Sequence, residues 1–272
     1  MDGLRGSWAL WSGVARTSFR RYATYRAATL AGIFTNSVFG VINAYVLTAV
    51  WAASPGAGGY DTRDAVTYVW IAQGLIAVVA VWSGGSDVDL AQRIRSGDVV
   101  TDLQRPVSLL GWYLAADLGR AGFALLSRGV APIVVGALIF DLRRPHGWAI
   151  VLVAVAVVLA VLVSFGLRML VALSTFWILD DTGVRTALAF LSTFFSGLTL
   201  PLVLLPHGLR EIAFALPFAG YMQLPADLWI GRRTGWSALG GLGLAALWAV
   251  ILLGLCALVL RRATRRVVLQ GG

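Results

Sequence analysis

Hydrophobic positions occur along this chain in long, nearly unbroken runs, separated by short polar stretches that contain most of the charges. A run of about 20 apolar residues is long enough to cross the hydrocarbon core of a bilayer as a helix. Six runs are predicted to be such helices, at about residues 27–52, 65–83, 112–140, 148–173, 184–200 and 236–260. The pattern therefore predicts an all-α integral membrane protein in which residues 1–272 form one transmembrane domain.

The composition agrees with a membrane protein. Of the residues, 58% are hydrophobic and 13% are charged, whereas soluble domains carry about 25% charged residues. All 22 basic residues are arginine, and most of them lie in the segments assigned to the inner side. By the positive-inside rule, we expect a multi-pass protein of the inner (cytoplasmic) membrane with both termini in the cytoplasm. The net charge of +9 is then a topology signal and predicts no nucleic-acid partner.

The use of arginine without lysine, together with abundant alanine, glycine, valine and leucine, indicates a GC-rich bacterial genome. Near the N-terminus, residues 4–22 have an amphipathic pattern, with Trp8 and Trp11 on one side and Arg16 and Arg20 on another. Such a helix suits the interface plane of an anionic membrane leaflet. The same pattern also fits an amphipathic helix packed on a neighbouring subunit, and the two interpretations are compatible.

The segment at about residues 86–104 is the longest charged stretch between predicted spans. Ser86, followed three residues later by Asp89, predicts an N-terminal cap. The helical spacing that begins there ends at Gly97. A solvated cytoplasmic loop is the simplest interpretation, and a helix that docks on another protein is the alternative.

The fifth predicted span leads into a segment, at about residues 201–218, that is broken by Pro201, Pro206 and Pro217. Proline removes a backbone hydrogen bond from a helix, and in lipid the freed groups need partners from protein or water. Leu209 and Ile212 have helical spacing between the second and third of these prolines. We therefore expect the span to end near Pro201 and a short helix to dip back against the bundle. A long outer loop without a role in gating is the competing interpretation.

The third predicted span contains three charged residues on one helical stripe, Asp117, Arg120 and Arg128. Charged side chains within a membrane are energetically unfavourable and usually face a bundle interior or a partner. Asp117 can pair with Arg120, three residues away. The sequence identifies no partner for Arg128 and no role for the three residues.

The sequence contains none of the motifs of a catalytic chain. It lacks the GxxxxGK[S/T] phosphate loop, and its one cysteine and two histidines form no cluster with metal-ligand spacing. We therefore expect neither enzymatic activity nor a cofactor or metal site in this chain itself.

Several short patterns resemble ABC transporter permeases of the type-two family. The resemblance lies in the runs Ser196-Gly197-x-x-x-Pro201-Leu202, Leu205-Pro206-x-x-Leu209-Arg210-x-Ile212, Leu216-Pro217-Phe218, Ile94-x-x-Gly97-Asp98 and Leu103-x-Arg105-Pro106-Val107. More narrowly, the chain is similar to the six-span subunits of drug and peptide exporters. The resemblance implies six transmembrane helices, an N-terminal interfacial helix, a cytoplasmic coupling helix and short re-entrant outer helices after the fifth span.

The resemblance also implies a function. The chain would be the permease of an exporter that moves an amphipathic or hydrophobic substrate, such as a drug, a peptide or a lipid-like molecule. Power would come from a separate ATPase, present in two copies, which binds ATP and Mg. A second permease, identical or homologous, and membrane lipid would be further partners. The alternative is a non-transporting membrane scaffold or accessory subunit, which would need neither the proline break nor a capped loop helix.

Two groups of site residues follow from the resemblance. The residues expected to couple to the ATPase are Asp89, Arg93, Ile94, Arg95, Gly97, Leu103, Arg105 and Pro106. The residues expected to form an outer gate are Gly197, Pro201, Pro206, Leu209, Arg210, Glu211, Ile212 and Pro217. Close packing is expected at Gly197 and Gly208.

Overall fold

The computed structural model describes residues 2–82, 85–178 and 180–270, and the side chains among them from residue 8 to residue 265. All regular structure in these residues is helical. The α-helices are α1 (Asp2–Ala23), α2 (Arg26–Ala53), α3 (Thr62–Val79), α4 (Ser86–Ser96), α5 (Val99–Leu103), α6 (Leu109–Ala124), α7 (Val130–Ile139), α8 (Ala149–Ser174), α9 (Thr182–Phe195), α10 (His207–Ala215), α11 (Gln223–Ile230) and α12 (Gly235–Gln270). A π-helical turn, Leu125–Gly129, joins α6 to α7.

Four of the helical segments in the described residues are long and apolar enough to cross a membrane, which makes the chain a multi-pass membrane protein. They are Arg26–Ala53, Leu109–Ile139, Ala149–Ser174 and Gly235–Arg265. The second and fifth predicted spans correspond to α3, with 18 residues, and α9, with 14. At 1.5 Å per residue α9 is roughly 21 Å long, against about 30 Å of hydrocarbon. The count of six spans stays a prediction.

The helix α3 lies at the centre of the bundle. Every residue from Asp64 to Val79 is buried, and α2, α6, α7, α8 and α11 pack around it. Trp70 fills its middle, and a Cβ atom at Gly40 of α2 or at Gly136 of α7 would overlap the Trp70 indole. These two glycines therefore allow α2 and α7 to close on α3 from both sides.

The helix α3 begins earlier than the predicted span at 65–83, because its first turn is capped. The Asp61 carboxylate accepts a hydrogen bond from the Asp64 N–H at 2.7 Å, and the Asp64 carboxylate accepts one from the Asp61 N–H at 3.2 Å. This reciprocal capping box satisfies two backbone donors that a helix start leaves free. At the other end the helix stops at Ala80, which has a left-handed φ of 53°. The last residue of the predicted span, 83, lies outside the described residues.

The N-terminal helix α1 packs side by side with the first half of α6. Trp11 contacts the backbone at Gly111, and the rings of Phe19 and Phe123 meet edge to face with centroids 5.5 Å apart. The side chains of α1 that stay exposed include Trp8, Arg16 and Arg20. Part of the apolar face of α1 is thus covered by its own chain, and placement of the exposed remainder at a membrane surface stays a prediction.

Candidate functional site

Two buried polar networks lie at opposite ends of α3. The α4 network, beside the carboxyl end of α3, consists of Asp87, Arg95, Asp117, Arg120, Arg168, Asp181 and Arg185. The α11 network, towards the amino end, consists of Tyr60, Tyr68, Gln223 and Asp227. Of the predicted coupling residues, Arg95 belongs to the first network. Of the predicted outer-gate residues, Gly197 contacts the second network through Tyr68.

The centre of the α4 network is Arg168 of α8. Its guanidinium bridges the carboxylate of Asp87, in the first turn of α4, and that of Asp117 of α6, which is 2.7 Å away. Arg120 pairs with the same Asp117 at 2.8 Å, so the pair predicted from the sequence is confirmed. All four side chains are at least 93% buried. Buried charges persist only when they are paired and hydrogen-bonded, and this cluster meets that condition.

The same network holds the end of α3. The guanidinium of Arg120 donates hydrogen bonds to the carbonyls of Ala77 and Val78, each at 2.8 Å. The Ser164 hydroxyl of α8 donates to the carbonyl of Val79. The last carbonyls of a helix have no partner within it, so α6 and α8 supply the missing donors. The carboxyl end of α3 is therefore fixed by the helices that also bind α4.

The network extends to α9 through Arg185. This arginine contacts both Asp87 and Asp181, and Asp181 also accepts a hydrogen bond from Arg95 at 2.8 Å. Asp87 and Arg95 lie in the first and last turns of α4, so α4 is attached to the bundle at both ends. Burial disfavours the ionised form of Asp87, but the charges of Arg168 and Arg185 outweigh it and lower the pKa of this carboxyl.

The predicted cap at the start of α4 is wrong. Ser86 does not bond the backbone of its own helix, because its hydroxyl donates to the carbonyl of Tyr113 at 2.9 Å. Asp89 pairs with Arg21 of α1 at 3.2 Å, and both side chains are more than half exposed. Residues 86 and 89 therefore attach α4 to its neighbours.

The basic residues expected to contact an ATPase have partners within the chain. Arg93 pairs with Asp102 of α5, and Arg105 lies 3.5 Å from the same carboxylate. Arg95 is bound to Asp181. These arginines fold α4 and α5 against each other and against α9, so reversing their charges would break contacts inside the chain.

The remaining coupling residues have different surroundings. Ile94 and Leu103 are half-buried and pack on the apolar cluster between α6 and α8. Gly97 ends α4 with a left-handed φ of 82°. The side chains of α5 and the following loop that stay exposed are Val100, Thr101, Gln104, Arg105, Pro106 and Ser108. These residues form the exposed surface of this loop.

At the other end of the bundle, the break after α9 depends on Gly197. This residue is buried and has a left-handed φ of 85°, and a Cβ atom there would overlap the hydroxyl of Tyr68. That hydroxyl donates a hydrogen bond to the Gly197 carbonyl at 2.8 Å. Only glycine combines this backbone conformation with so close an approach.

Gln223 of α11 covers the backbone groups that the break frees. Its side-chain oxygen accepts a hydrogen bond from the Leu202 N–H at 2.8 Å. The backbone N–H of Gln223 donates to the Ser196 carbonyl at 3.2 Å. Its side-chain nitrogen donates to the Tyr60 hydroxyl at 2.8 Å and to Asp227 at 3.0 Å. The polar groups exposed by ending α9 early therefore bind protein and do not face lipid.

The prolines of the outer-gate segment divide into buried and exposed positions. Pro201 and Pro217 are buried, whereas Pro206 is exposed and immediately precedes α10. Leu209 and Ile212 lie on the exposed side of α10, where 36% and 57% of their surface is accessible. The segment thus contains a short helix with an apolar side that nothing in the described chain covers.

Other expectations for this segment are corrected by the structure. Nothing lies within 4 Å of a Cβ atom built at Gly208, so the close packing expected there is wrong. The two charged residues of this segment have separate contacts. Arg210 donates to a backbone carbonyl at 3.4 Å, and Glu211 lies 3.2 Å from His207.

Sequence reasoning missed several residues that hold these networks. Arg168 lies within the predicted span at 148–173, and an arginine there is a charge that needs a partner. Gln223 lies in an otherwise apolar stretch, and its polarity there was an unused signal. Asp87 carried no signal beyond its position near a helix start. The described residues include no group of three or more acidic, His or Cys side chains that could hold a metal ion.

The chain matches the family model described as ABC-2 family transporter protein over residues 31–271. No curated protein matches the chain.

Proposed function

Because the chain belongs to the ABC-2 transporter family, and is thereby a membrane permease that works with an ATPase partner, we propose that it exports an amphipathic or hydrophobic substrate from a bacterial cell. The substrate would be a drug, a peptide or a lipid-like molecule. Two copies of a separate ATPase would bind ATP and Mg, and a second permease, identical or homologous, would complete the complex.

The α4 network is the observation that carries this proposal. Its ion pairs connect α4 to α6, α8 and α9. The carboxylates and Arg168 are at least 93% buried, whereas the side chains of Arg185 and Arg95, which reach α9, are 29% and 38% exposed. Separating a buried ion pair leaves an uncompensated charge and is strongly unfavourable. A displacement of α4 therefore moves the spans that are joined to it and is not absorbed within the loop.

We assign the contact with the ATPase to α5 and the loop after it. Val100, Thr101 and Gln104 are exposed and make no side-chain hydrogen bond or ion pair within the described chain. Arg93 and Arg95 hold this surface in place through Asp102 and Asp181. In this mechanism, closure of the ATPase pair moves α5, and the α4 network carries the movement into the spans.

We assign the opening movement at the outer side to the segment between α9 and α11. Its break is held by Gln223 and by the hydroxyl of Tyr68, which belongs to α3. The same helix is bound at its other end by Arg120 of the α4 network. Opening for export would release or shift α10 relative to this support.

The assignment of the ATPase contact is tested by Val100→Asp and Thr101→Asp in the complex reconstituted with its ATPase. Both residues are exposed, so the chain should insert and fold normally while permease-stimulated ATP hydrolysis falls about tenfold or more. His146→Asp, an exposed change in the loop between α7 and α8, is the matched control and should leave hydrolysis unchanged. Full stimulation by the α5 variants, with the ATPase still bound, would show that the contact lies elsewhere.

A further inference from the structure

Arg128 differs from Arg120 and Arg168, the other two arginines that lie away from the ends of the long apolar segments. It lies within the π-helical turn Leu125–Gly129, in the middle of the segment formed by α6 and α7. Arg120 and Arg168 each bind a carboxylate, whereas Arg128 forms no ion pair or hydrogen bond with any described residue. Its Nε is buried without a partner. A guanidinium at membrane depth is tolerated only with a counter-charge or with water.

The position of the guanidinium is fixed by α2. It lies directly against Gly32, where a Cβ atom would overlap the Nε and Cζ atoms of Arg128. Gly32 follows the first residue of α2, Arg26, by six positions, which is about 9 Å along the helix axis. An arginine at this depth can extend its charged end towards the nearer membrane surface.

The local backbone explains the direction of the side chain. Pro132 has no N–H to donate to the carbonyl of residue 128, and a widened turn precedes it. The next residue, Gly129, faces α3, where a Cβ atom would lie 3.2 Å from the carbonyl of Gly74. Arg128 therefore lies on the adjoining side, between α2 and α7. π-Helical turns of this kind occur frequently at functional sites.

The surroundings of Arg128 are apolar and accessible. Leu126 and Val130 of its own segment are 66% and 44% exposed, and Leu30 and Phe34 of α2 are 67% and 71% exposed. Asp117 is the sole acidic residue in the four long apolar segments, and it is already paired. The four long apolar segments of a second copy of this chain would therefore offer no unpaired carboxylate to Arg128.

We propose that Arg128 binds the anionic headgroup of an amphiphile, a phosphate or a carboxylate, whose apolar tail lies along the exposed sides of α2 and α7. The headgroup supplies the counter-charge that the described chain does not provide, and the tail covers apolar side chains beside it. Gly32 leaves the space in which the guanidinium meets the headgroup. The site does not depend on the direction of transport.

The test measures lipid bound to the purified full-length chain by native mass spectrometry, with phosphatidylglycerol as the anionic probe and phosphatidylcholine as the neutral one. Arg128→Gln should reduce bound phosphatidylglycerol at least fivefold and leave phosphatidylcholine unchanged. Arg128→Lys, which keeps the charge, should retain most of the binding. Arg144→Gln, which removes the same charge from the exposed loop between α7 and α8, is the matched control and should bind like the wild type.

A second measurement follows thermal unfolding in neutral detergent. Phosphatidylglycerol should raise the Tm of the wild type and of Arg144→Gln but not that of Arg128→Gln, and inorganic phosphate alone should raise none of them. Arg128→Met should not lower the Tm in neutral detergent, because no contact with a protein partner is lost.

Equal phosphatidylglycerol binding by Arg128→Gln and the wild type would overturn the proposal. Stabilisation by phosphate alone would replace it by a site for a free anion, and dissociation of a permease pair by Arg128→Gln would assign the residue to a subunit interface.

Discussion

A single arginine, Arg168, determines how the α4 network is arranged. It binds Asp87 and Asp117, which are 81 and 51 positions away in the sequence. Spacing arguments reach only neighbours three or four residues apart, which is why the pair Asp117 and Arg120 could be predicted and these longer contacts could not. Intramembrane charge in the sequence indicates that a partner exists, but only the fold shows which one.

Asp87 and Asp89 give a direct test of what burial contributes. Asp87→Asn removes the counter-charge of a buried arginine, so we expect the free energy of unfolding to fall by about 3–5 kcal/mol. Asp89→Asn removes a pair that is more than half exposed, and a change below about 1 kcal/mol is expected. Thermal unfolding of both variants in detergent at neutral pH measures the difference. Equal losses would show that the network is no stronger than a surface ion pair.

The pairing of Asp87 also predicts that the stability of the folded chain depends on pH. The pKa of Asp87 is lowered in the folded chain, so its contribution is complete above the ordinary aspartate value of about 3.9 and is lost as the pH falls through the lower folded pKa. Asp87→Asn should therefore lose less stability than the wild type on acidification below about pH 4. Parallel acid profiles for the two proteins would contradict this origin of the stability.

At the scale of elements, proline spacing predicted a short helix after α9, and the described chain contains α10. What holds that segment could not be predicted, because Tyr68 and Gln223 come from α3 and α11. The start of α3 was misplaced for a different reason. The apolar run begins at residue 65, but the helix begins earlier, because Asp61 and Asp64 form a capping box ahead of the run.

Gly197 and Gly208 are predicted to respond differently to the same change. Gly197→Ala places a Cβ atom against the Tyr68 hydroxyl on a left-handed backbone, so a loss of about 1–3 kcal/mol in stability and impaired export are expected. Gly208→Ala meets nothing within 4 Å and should leave both unchanged. Thermal unfolding and substrate efflux from cells measure the two effects, and pull-down of the ATPase should succeed with both variants.

A second substitution separates steric overlap from backbone strain. Tyr68→Phe removes the hydroxyl that the new methyl group would meet, so the double variant with Gly197→Ala should be more stable than Gly197→Ala alone. Tyr68→Phe by itself should lower stability by about 1 kcal/mol, because a hydrogen bond to the Gly197 carbonyl is lost. If the two losses simply add, the overlap with Tyr68 does not explain the need for glycine.

At the scale of the whole molecule, the hydropathy pattern predicted the all-helical membrane fold but could not establish how many helices cross the membrane. The four long apolar segments are evident from sequence and structure alike. The helix α3 is enclosed by other helices, so its polar first turn and its Gln73 need not face lipid, and both lower its hydropathy. A helix enclosed in this way can carry polar residues, so its lower hydropathy does not decide whether it crosses the membrane.

Cysteine labelling can determine the topology in a Cys256→Ala background. Cys256 is fully buried, with its thiol directed at a backbone carbonyl 3.3 Å away, so alanine should be tolerated there. Gly271, a terminal position suited to reporting the side of the C-terminus, lies outside the described residues. Exposed positions in the loops of the described chain therefore provide the more informative set.

Ser54, Thr101, His146, Asp180 and Thr234 lie one in each of the five segments that connect the predicted spans, Thr101 within α5, and all five are exposed positions for single cysteines. If six helices cross and both termini are inside, Thr101 and Asp180 should be protected from an impermeant thiol reagent in intact cells, while Ser54, His146 and Thr234 react. Each protected site should react after the membrane is permeabilised, which controls for buried positions.

Reaction of Ser54 and Thr101 from the same side would show that α3 does not cross. Reaction of Asp180 and Thr234 from the same side would show that α9 and the broken segment after it turn back within the membrane, and the model of six spans would then be wrong.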